Sequence, residues 1–129
     1  MKPHFKTSEI TMKRVVGVDV WRVGEPVSFY SELLGAWIDV PAGFETDFAS
    51  IPRFLHRLLP KNGEYDAPAI VHDWLYANGL YHKDTADKIF LEALTSIGVA
   101  PWKRQAMYRA VVMFGFKAWN DHRDTERTN

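Results

Sequence analysis

The residues of this 129-residue chain that could do chemistry are concentrated in one run, Tyr65-Asp66-Ala67-Pro68-Ala69-Ile70-Val71-His72-Asp73-Trp74-Leu75-Tyr76. Read as a helix, the run is apolar on nearly every face, so it is expected to be buried among other elements. Yet an imidazole and a carboxylate stand side by side in its middle. Burying an ionisable pair is costly unless each member has a partner, a metal or a chemical task. A neutral core histidine, an Asp facing a solvent groove, or a purely structural hydrogen-bond network would each account for the pair as well. Asp87 adds what a general base needs. It lies near Leu94, at the margin of a second helix's apolar stripe, so two antiparallel helices would bring its carboxylate to His72. An imidazole held by a carboxylate on one nitrogen has a fixed tautomer and a more basic second nitrogen. The competing role for Asp87 is the last position of a capping box, Asp84-Thr85-Ala86-Asp87, although such boxes prefer Glu or Gln there.

The elements that must position these groups change character near residue 60. Before it, Val15-Val16-Gly17-Val18-Asp19-Val20-Trp21-Arg22-Val23 and Val27-Ser28-Phe29-Tyr30-Ser31 read as strands joined across a Gly24-Glu25-Pro26 turn, with Trp37-Ile38-Asp39-Val40 a third. Phe54 to Leu59 reads as a short helix before Pro60. After Lys61-Asn62-Gly63 the period becomes helical. Asp66 caps a first helix that tolerates Pro68 in its first turn and ends at Asn78-Gly79. Asp84 opens a second, with Ala86, Ile89, Phe90, Ala93, Leu94 and Ile97 as one stripe. A third runs from Pro101 or Trp102 to about Trp119, with Tyr108, Val111, Val112, Gly115 and Trp119 on one side. The expected fold is α+β, a small N-terminal antiparallel sheet followed by a three-helix region. Residues 1–119 form a single domain, and the polar segment 120–129 is expected to be a fraying tail.

Composition removes several function classes. Sixteen Lys+Arg balance sixteen Asp+Glu, whereas general nucleic-acid binding draws on excess positive charge; no nucleic-acid partner is expected. Without cysteine there is no disulfide framework and no thiolate metal site. Neither a signal peptide nor a membrane-spanning run is present. No phosphate loop, dinucleotide fingerprint or zinc cluster occurs. A Ser50-His72-Asp87 triad is conceivable, although no Gly-flanked nucleophile turn surrounds Ser50. A metal-dependent phosphohydrolase using His56 and Asp121 beside the His-Asp pair fits poorly with a strand-rich first half. Lys103, Arg104 and Arg109 read as the solvated side of the third helix.

The pattern Asp66, His72-Asp73 and Tyr76, followed by Ala86-Asp87 and Phe90, resembles the active-site helices of secreted and viral-capsid phospholipases that cleave the sn-2 ester. The resemblance implies His72 as general base, Asp87 as its orienter, Asp73 as a ligand of Ca²⁺, and Asp66 and Tyr76 as a supporting network. Ca²⁺ takes oxygen ligands and would polarise the ester carbonyl. In place of that family's Gly-rich calcium loop, Asp47 is the residue available as a second ligand; its alternative is an Asx-turn, with Ser50 nearby. That family braces its helices with disulfides where this chain has Pro68, Ala69 and Leu75, so Trp74, Phe90, Trp102 and Trp119 are the expected filling.

A second resemblance covers more of the chain. Gly43-Phe44-Glu45-Thr46-Asp47-Phe48-Ala49-Ser50-Ile51-Pro52-Arg53 with His72-Asp73-Trp74-Leu75-Tyr76 is similar to a family of small uncharacterised phage and prophage proteins. It implies a location in the virion or the infected host's cytoplasm. Two functions follow as expectations: a metal-assisted ester hydrolase acting on a lipid or other ester, or a non-catalytic virion, tail or anti-defence protein contacting a phage structural or host protein.

Overall fold

The computed structural model describes residues 1–7, 9–18, 20–57 and 66–128, with side chains described to residue 55 in the third stretch and to 123 in the last. Leu58, Leu59, Asn62, Gly63, Tyr65 and the His56 side chain, which entered the readings above, lie outside the described residues. Among the described residues six short strands precede the helices, which makes the fold α+β: β1 (His4–Phe5), β2 (Met12–Arg14), β3 (Trp21–Val23), β4 (Val27–Ser31), β5 (Ala36–Val40) and β6 (Glu45–Thr46). A 3-10 helix over Arg53–Arg57 leads to α1 (Asp66–Asn78), α2 (Lys83–Ser96), α3 (Pro101–Phe114) and α4 (Phe116–Thr128). No helix among the described residues is long and apolar enough to cross a membrane.

The strands form two antiparallel three-stranded sheets, ordered β1-β4-β5 and β2-β3-β6. This corrects the expected hairpin across Gly24-Glu25-Pro26. That turn passes the chain from one sheet to the other, and the segment read as a single strand from Val15 bends back on itself, Val15 N–H donating to the Val20 carbonyl at 2.9 Å. Strand β4 alternates inward Val27, Phe29 and Ser31 with half-buried Ser28 and Tyr30, the period-two signature of a sheet with one covered face.

Helix α1 is buried along most of its length, as its all-round apolar sequence requires, and packs against the first sheet and α2. The α2 stripe of Ala86, Ile89, Phe90, Ala93 and Leu94 is buried, with Ile97 half out at its end. Ile51, Leu55, Phe90, Leu94, Val99, Met107 and Val111 make a second apolar cluster under α3. The buried side of α3 is Met107, Ala110 and Val111, about a third of a turn from the face expected, and Val112 is exposed.

The chain does not run as one helix to Trp119 and then fray. Helix α3 stops at Phe114, Gly115 turns the corner, and α4 continues through the polar segment to Thr128. Gly115 is required there by space: a Cβ would lie 2.5 Å from the Val111 carbonyl and 2.6 Å from the Tyr76 hydroxyl. Two positions in α4 tie it to α1. Trp119 stands edge-on to Tyr76 with ring centres 5.2 Å apart, and the Arg123 guanidinium donates to the carbonyls of Tyr76 (2.6 Å) and Ala77 (3.3 Å) at the α1 C-terminus. Of the expected aromatic filling, Phe90 is buried and Trp74 is half-buried against Phe44. Trp102 is 70% exposed and fills nothing.

Candidate functional site

Adjacent residues of a helix point about 100° apart, so His72 and Asp73 look in different directions from α1. His72 faces α2. Its Nε2 is 2.7 Å from Asp87 Oδ1, and its ring packs on Tyr76 and Phe90. Tyr76, one helical turn on, donates its hydroxyl to the same Asp87 oxygen at 2.7 Å. The capping box therefore does not form: the Asp87 carboxylate is spent inward, while Asp84 receives the Thr85 N–H by itself.

Lys83, which sequence reading passed over, completes this side. It stands four residues before Asp87 and pairs with Oδ2 at 2.7 Å, an i,i+4 spacing that could have flagged it. Its ammonium also donates to the carbonyls of Val111 (3.0 Å) and Val112 (3.2 Å) near the α3 C-terminus, where a cation is favoured. Burial disfavours the Asp87 charge, yet His72, Lys83 and Tyr76 together hold its carboxyl below the usual range. For His72, burial dominates and holds the imidazole below its ordinary value despite the pull of Asp87.

Asp73 faces the strands instead. Its Oδ1 accepts from the Ser50 N–H at 3.1 Å and from the Ser50 hydroxyl, and its Oδ2 accepts from the Thr46 hydroxyl. Burial pushes this carboxyl up to about 7; the hydrogen bonds from Thr46 and Ser50 oppose the rise, and the nearby Asp47 charge adds to it. Ser50 joins the two sides, its Oγ lying 2.9 Å from His72 Nδ1. The result is one continuous chain of contacts, Lys83–Asp87–His72–Ser50–Asp73–Thr46, running through the interior of the protein.

The segment that carries Thr46 and Ser50 is held in an uncommon shape. Phe48 has φ +59°, the left-handed region that non-glycine residues rarely enter. Its N–H donates to Thr46 Oγ1 at 3.0 Å, and its ring packs against both apolar clusters. Asp47 forms the Asx-turn, Oδ1 accepting the Ala49 N–H at 2.9 Å. No sequence signal marks Phe48 for this conformation, since Asn, Asp or Gly would be the expected residue.

A pocket of about 290 Å³ opens onto the Asp73 side, lined by Val20, Phe44, Thr46, Asp47, Ser50 and Asp73, with His122 of α4 also on its wall. His72 is fully buried and does not line it. Of the residues expected in the site, His72, Asp73, Ser50, Tyr76 and Asp87 are thus brought into one network, and Asp47 is on the pocket wall. Asp66 stands at the other end of α1, two turns away, where burial raises its carboxyl; it is not one of the groups at the His72 ring nitrogens. His122 and Lys83 are additions, and Asp121, at the exposed surface of α4, is not part of the wall.

A calcium ion does not fit this donor set. Asp73 already accepts three hydrogen bonds and Asp47 Oδ1 one, so two carboxylates with part of their lone pairs spent stand where Ca²⁺ takes about six to eight oxygens. Among the described residues no group of three or more His, Cys, Asp or Glu is gathered to hold a metal.

A curated relative in Sinorhizobium fredii, an uncharacterized protein named y4jT, is 31% identical over 78 residues, which is 59% of this chain. The match spans 23% of that relative's length. No solved structure matches the chain. Residues 21–111, which run from β3 into α3 and so contain every side chain of the network but not α4, match a family described as a protein of unknown function, DUF1353; the chain belongs to that family.

Proposed function

We propose that the protein is a small hydrolase of ester-type substrates, phage-borne as the Thr46–Arg53 resemblance implies, in which Asp73 rather than His72 meets the substrate. One observation carries this reading: Asp73 lines an open pocket and is joined through Ser50 to a buried His-Asp dyad. A carboxyl near 7 at that point can act as base and as acid at neutral pH. As base, its carboxylate takes a proton from water while the water oxygen bonds to the ester carbonyl carbon. On collapse the bond to the leaving alcohol breaks, and the alkoxide takes the same proton back. Ester and water become acid and alcohol, and Asp73 is restored. Among the described residues no group of three or more metal-ligating side chains is gathered, so the step is written without the divalent ion expected from the phospholipase resemblance.

The test is hydrolysis of p-nitrophenyl acetate, p-nitrophenyl butyrate and a short-chain phosphatidylcholine by wild type and Asp73→Asn. Turnover above buffer that falls by about 10²–10⁴-fold in the variant is the expected result. Equal rates in the two proteins, or none above buffer, would sink the assignment.

A second reading has its own support. His72 is fully buried with both ring nitrogens hydrogen-bonded, and Ser50 is tied to both His72 and Asp73, as in a structural tie between α1 and the Thr46–Ser50 segment. On that reading the protein is a non-catalytic virion, tail or host-contacting component, and His72→Asn lowers stability with no activity to lose.

A further inference from the structure

The geometry at Ser50 contains a proton count. Its hydroxyl has one proton and lies between two acceptors, His72 Nδ1 at 2.9 Å and Asp73 Oδ1. The other imidazole nitrogen faces the Asp87 carboxylate at 2.7 Å, which also takes hydrogens from Tyr76 and Lys83. Nε2 therefore carries a hydrogen, and in a neutral ring Nδ1 is bare. Both Ser50 contacts can be hydrogen bonds together only if Asp73 and His72 hold one further proton between them. With that proton on Asp73, Asp73 donates to Ser50 and Ser50 donates to Nδ1. With it on His72, Nδ1–H donates to Ser50 and Ser50 donates to the Asp73 carboxylate. The two arrangements contain the same atoms and the same total charge.

We propose that the Ser50 hydroxyl is a proton relay between the pocket carboxyl and the buried dyad, so that Asp73 and His72 share one proton. The shift breaks the Asp73 O–H and Ser50 O–H bonds and forms new ones at Ser50 Oγ and His72 Nδ1. It leaves a carboxylate in the pocket and an imidazolium against Asp87. Burial favours the neutral pair as the resting form. The groups facing the pair are Tyr76 of α1, Asp87 and Lys83 of α2, Asp47, Glu45 of β6 with its Arg22 partner on β3, and His122 of α4. The relay rests on the hydrolase reading for its use: it would let Asp73 become a base without releasing its proton to solvent.

The experiment is NMR of the His72 ring nitrogens and the Asp73 carboxyl carbon from about pH 5 to 9, a span bracketing the neutral range where histidine ordinarily titrates. The expected result is a His72 ring that responds at the same midpoint as Asp73, as coupled sites do. In Asp73→Asn the side chain no longer titrates, and the His72 curve at that midpoint goes flat. In Ser50→Ala, if it folds, the two midpoints separate by about one pH unit or more. A His72 ring that ignores the Asp73 midpoint in wild type, or keeps it in Asp73→Asn, overturns the relay. No substrate enters this measurement, so failure of ester hydrolysis removes the proposed function alone, and uncoupled titration removes the relay alone.

Discussion

The two sides of α1 solve the problem of a buried charge in different ways. On the His72 side, Asp87 is ionised and balanced by a cation: Lys83 is a full ion pair, drawn in over the Phe116 ring at 4.3 Å and fixed by α3 carbonyls. On the Asp73 side the contacts among the described residues are two hydroxyls and a backbone N–H, and the carboxyl rises to about 7. The first arrangement needs its charges to stay as they are. The second can change protonation at neutral pH, and it is the side that opens to a pocket. The proposed chemistry and its support are thus divided between neighbouring residues of one helix.

The comparison breaks most sharply at Asp87. Asp87→Asn leaves Lys83 without its counter-charge and His72 without its acceptor, and should cost about 3–5 kcal/mol in denaturant unfolding. Asp73→Asn strips no cation of its counter-charge among the described contacts and leaves one donor, from Ser50 or Thr46, unmatched, so it should cost about 1–2 kcal/mol. If the two losses are equal, the sides do not differ as described. Next in size is Gly115→Ala, whose new methyl meets the Val111 carbonyl and the Tyr76 hydroxyl; about 1–3 kcal/mol is expected, read as a lowered Tm.

Thr46→Val sharpens the Asp73 side. It removes a donor that lowers the Asp73 carboxyl and an acceptor for the strained Phe48 N–H. Stability should fall by about 1–2 kcal/mol, and the Asp73 midpoint in the carboxyl NMR titration should move upward from its value near 7. A downward move would contradict the role given to Thr46.

The smallest effect is the pH dependence of stability. The folded chain holds a proton on Asp73 that the unfolded chain, at the ordinary 3.8, has released. That term is fully present below about 4 and is lost as pH rises to about 7. His72 works oppositely: its imidazole is held below the ordinary 6.5, so the unfolded chain takes up a proton first, and stability from this group falls as pH drops below 6.5. The terms oppose each other between about 4 and 6.5. Wild type should vary little there, and Asp73→Asn should lose stability on acidification; a variant as flat as wild type would mean that the His72 term is absent.

What could be read from the sequence follows the range of the forces involved. Helices α1 and α2, and the meeting of His72 with Asp87, come from local periodicity and one apolar stripe, and both helices appear within a residue or two of expectation. Strand pairing is non-local, so nothing in Val15 to Ser31 reveals that β3 and β4 belong to different sheets. Strands of two residues such as β1 and β6 carry too few side chains for an alternation to register. Ser50 was legible as a polar residue near a Pro, but its bridging place depends on the left-handed Phe48, a choice imposed by packing on both apolar clusters against intrinsic preference. The polar composition of α4 hid a helix held by scattered contacts such as those of Trp119 and Arg123, and so hid His122 on the pocket wall.

Arg123 also sets where this chain can be shortened. A cut after Trp119 would remove the guanidinium that covers the last carbonyls of α1 and rests on the Trp119 ring at 4.4 Å. The end of α1 next to Tyr76 would then be open to water and to proteases, three to five residues from the groups that hold the network. The closing turns of the chain act as a latch on its central helix, and limited proteolysis within α4 should loosen the Tyr76 end of α1 before it touches the strands.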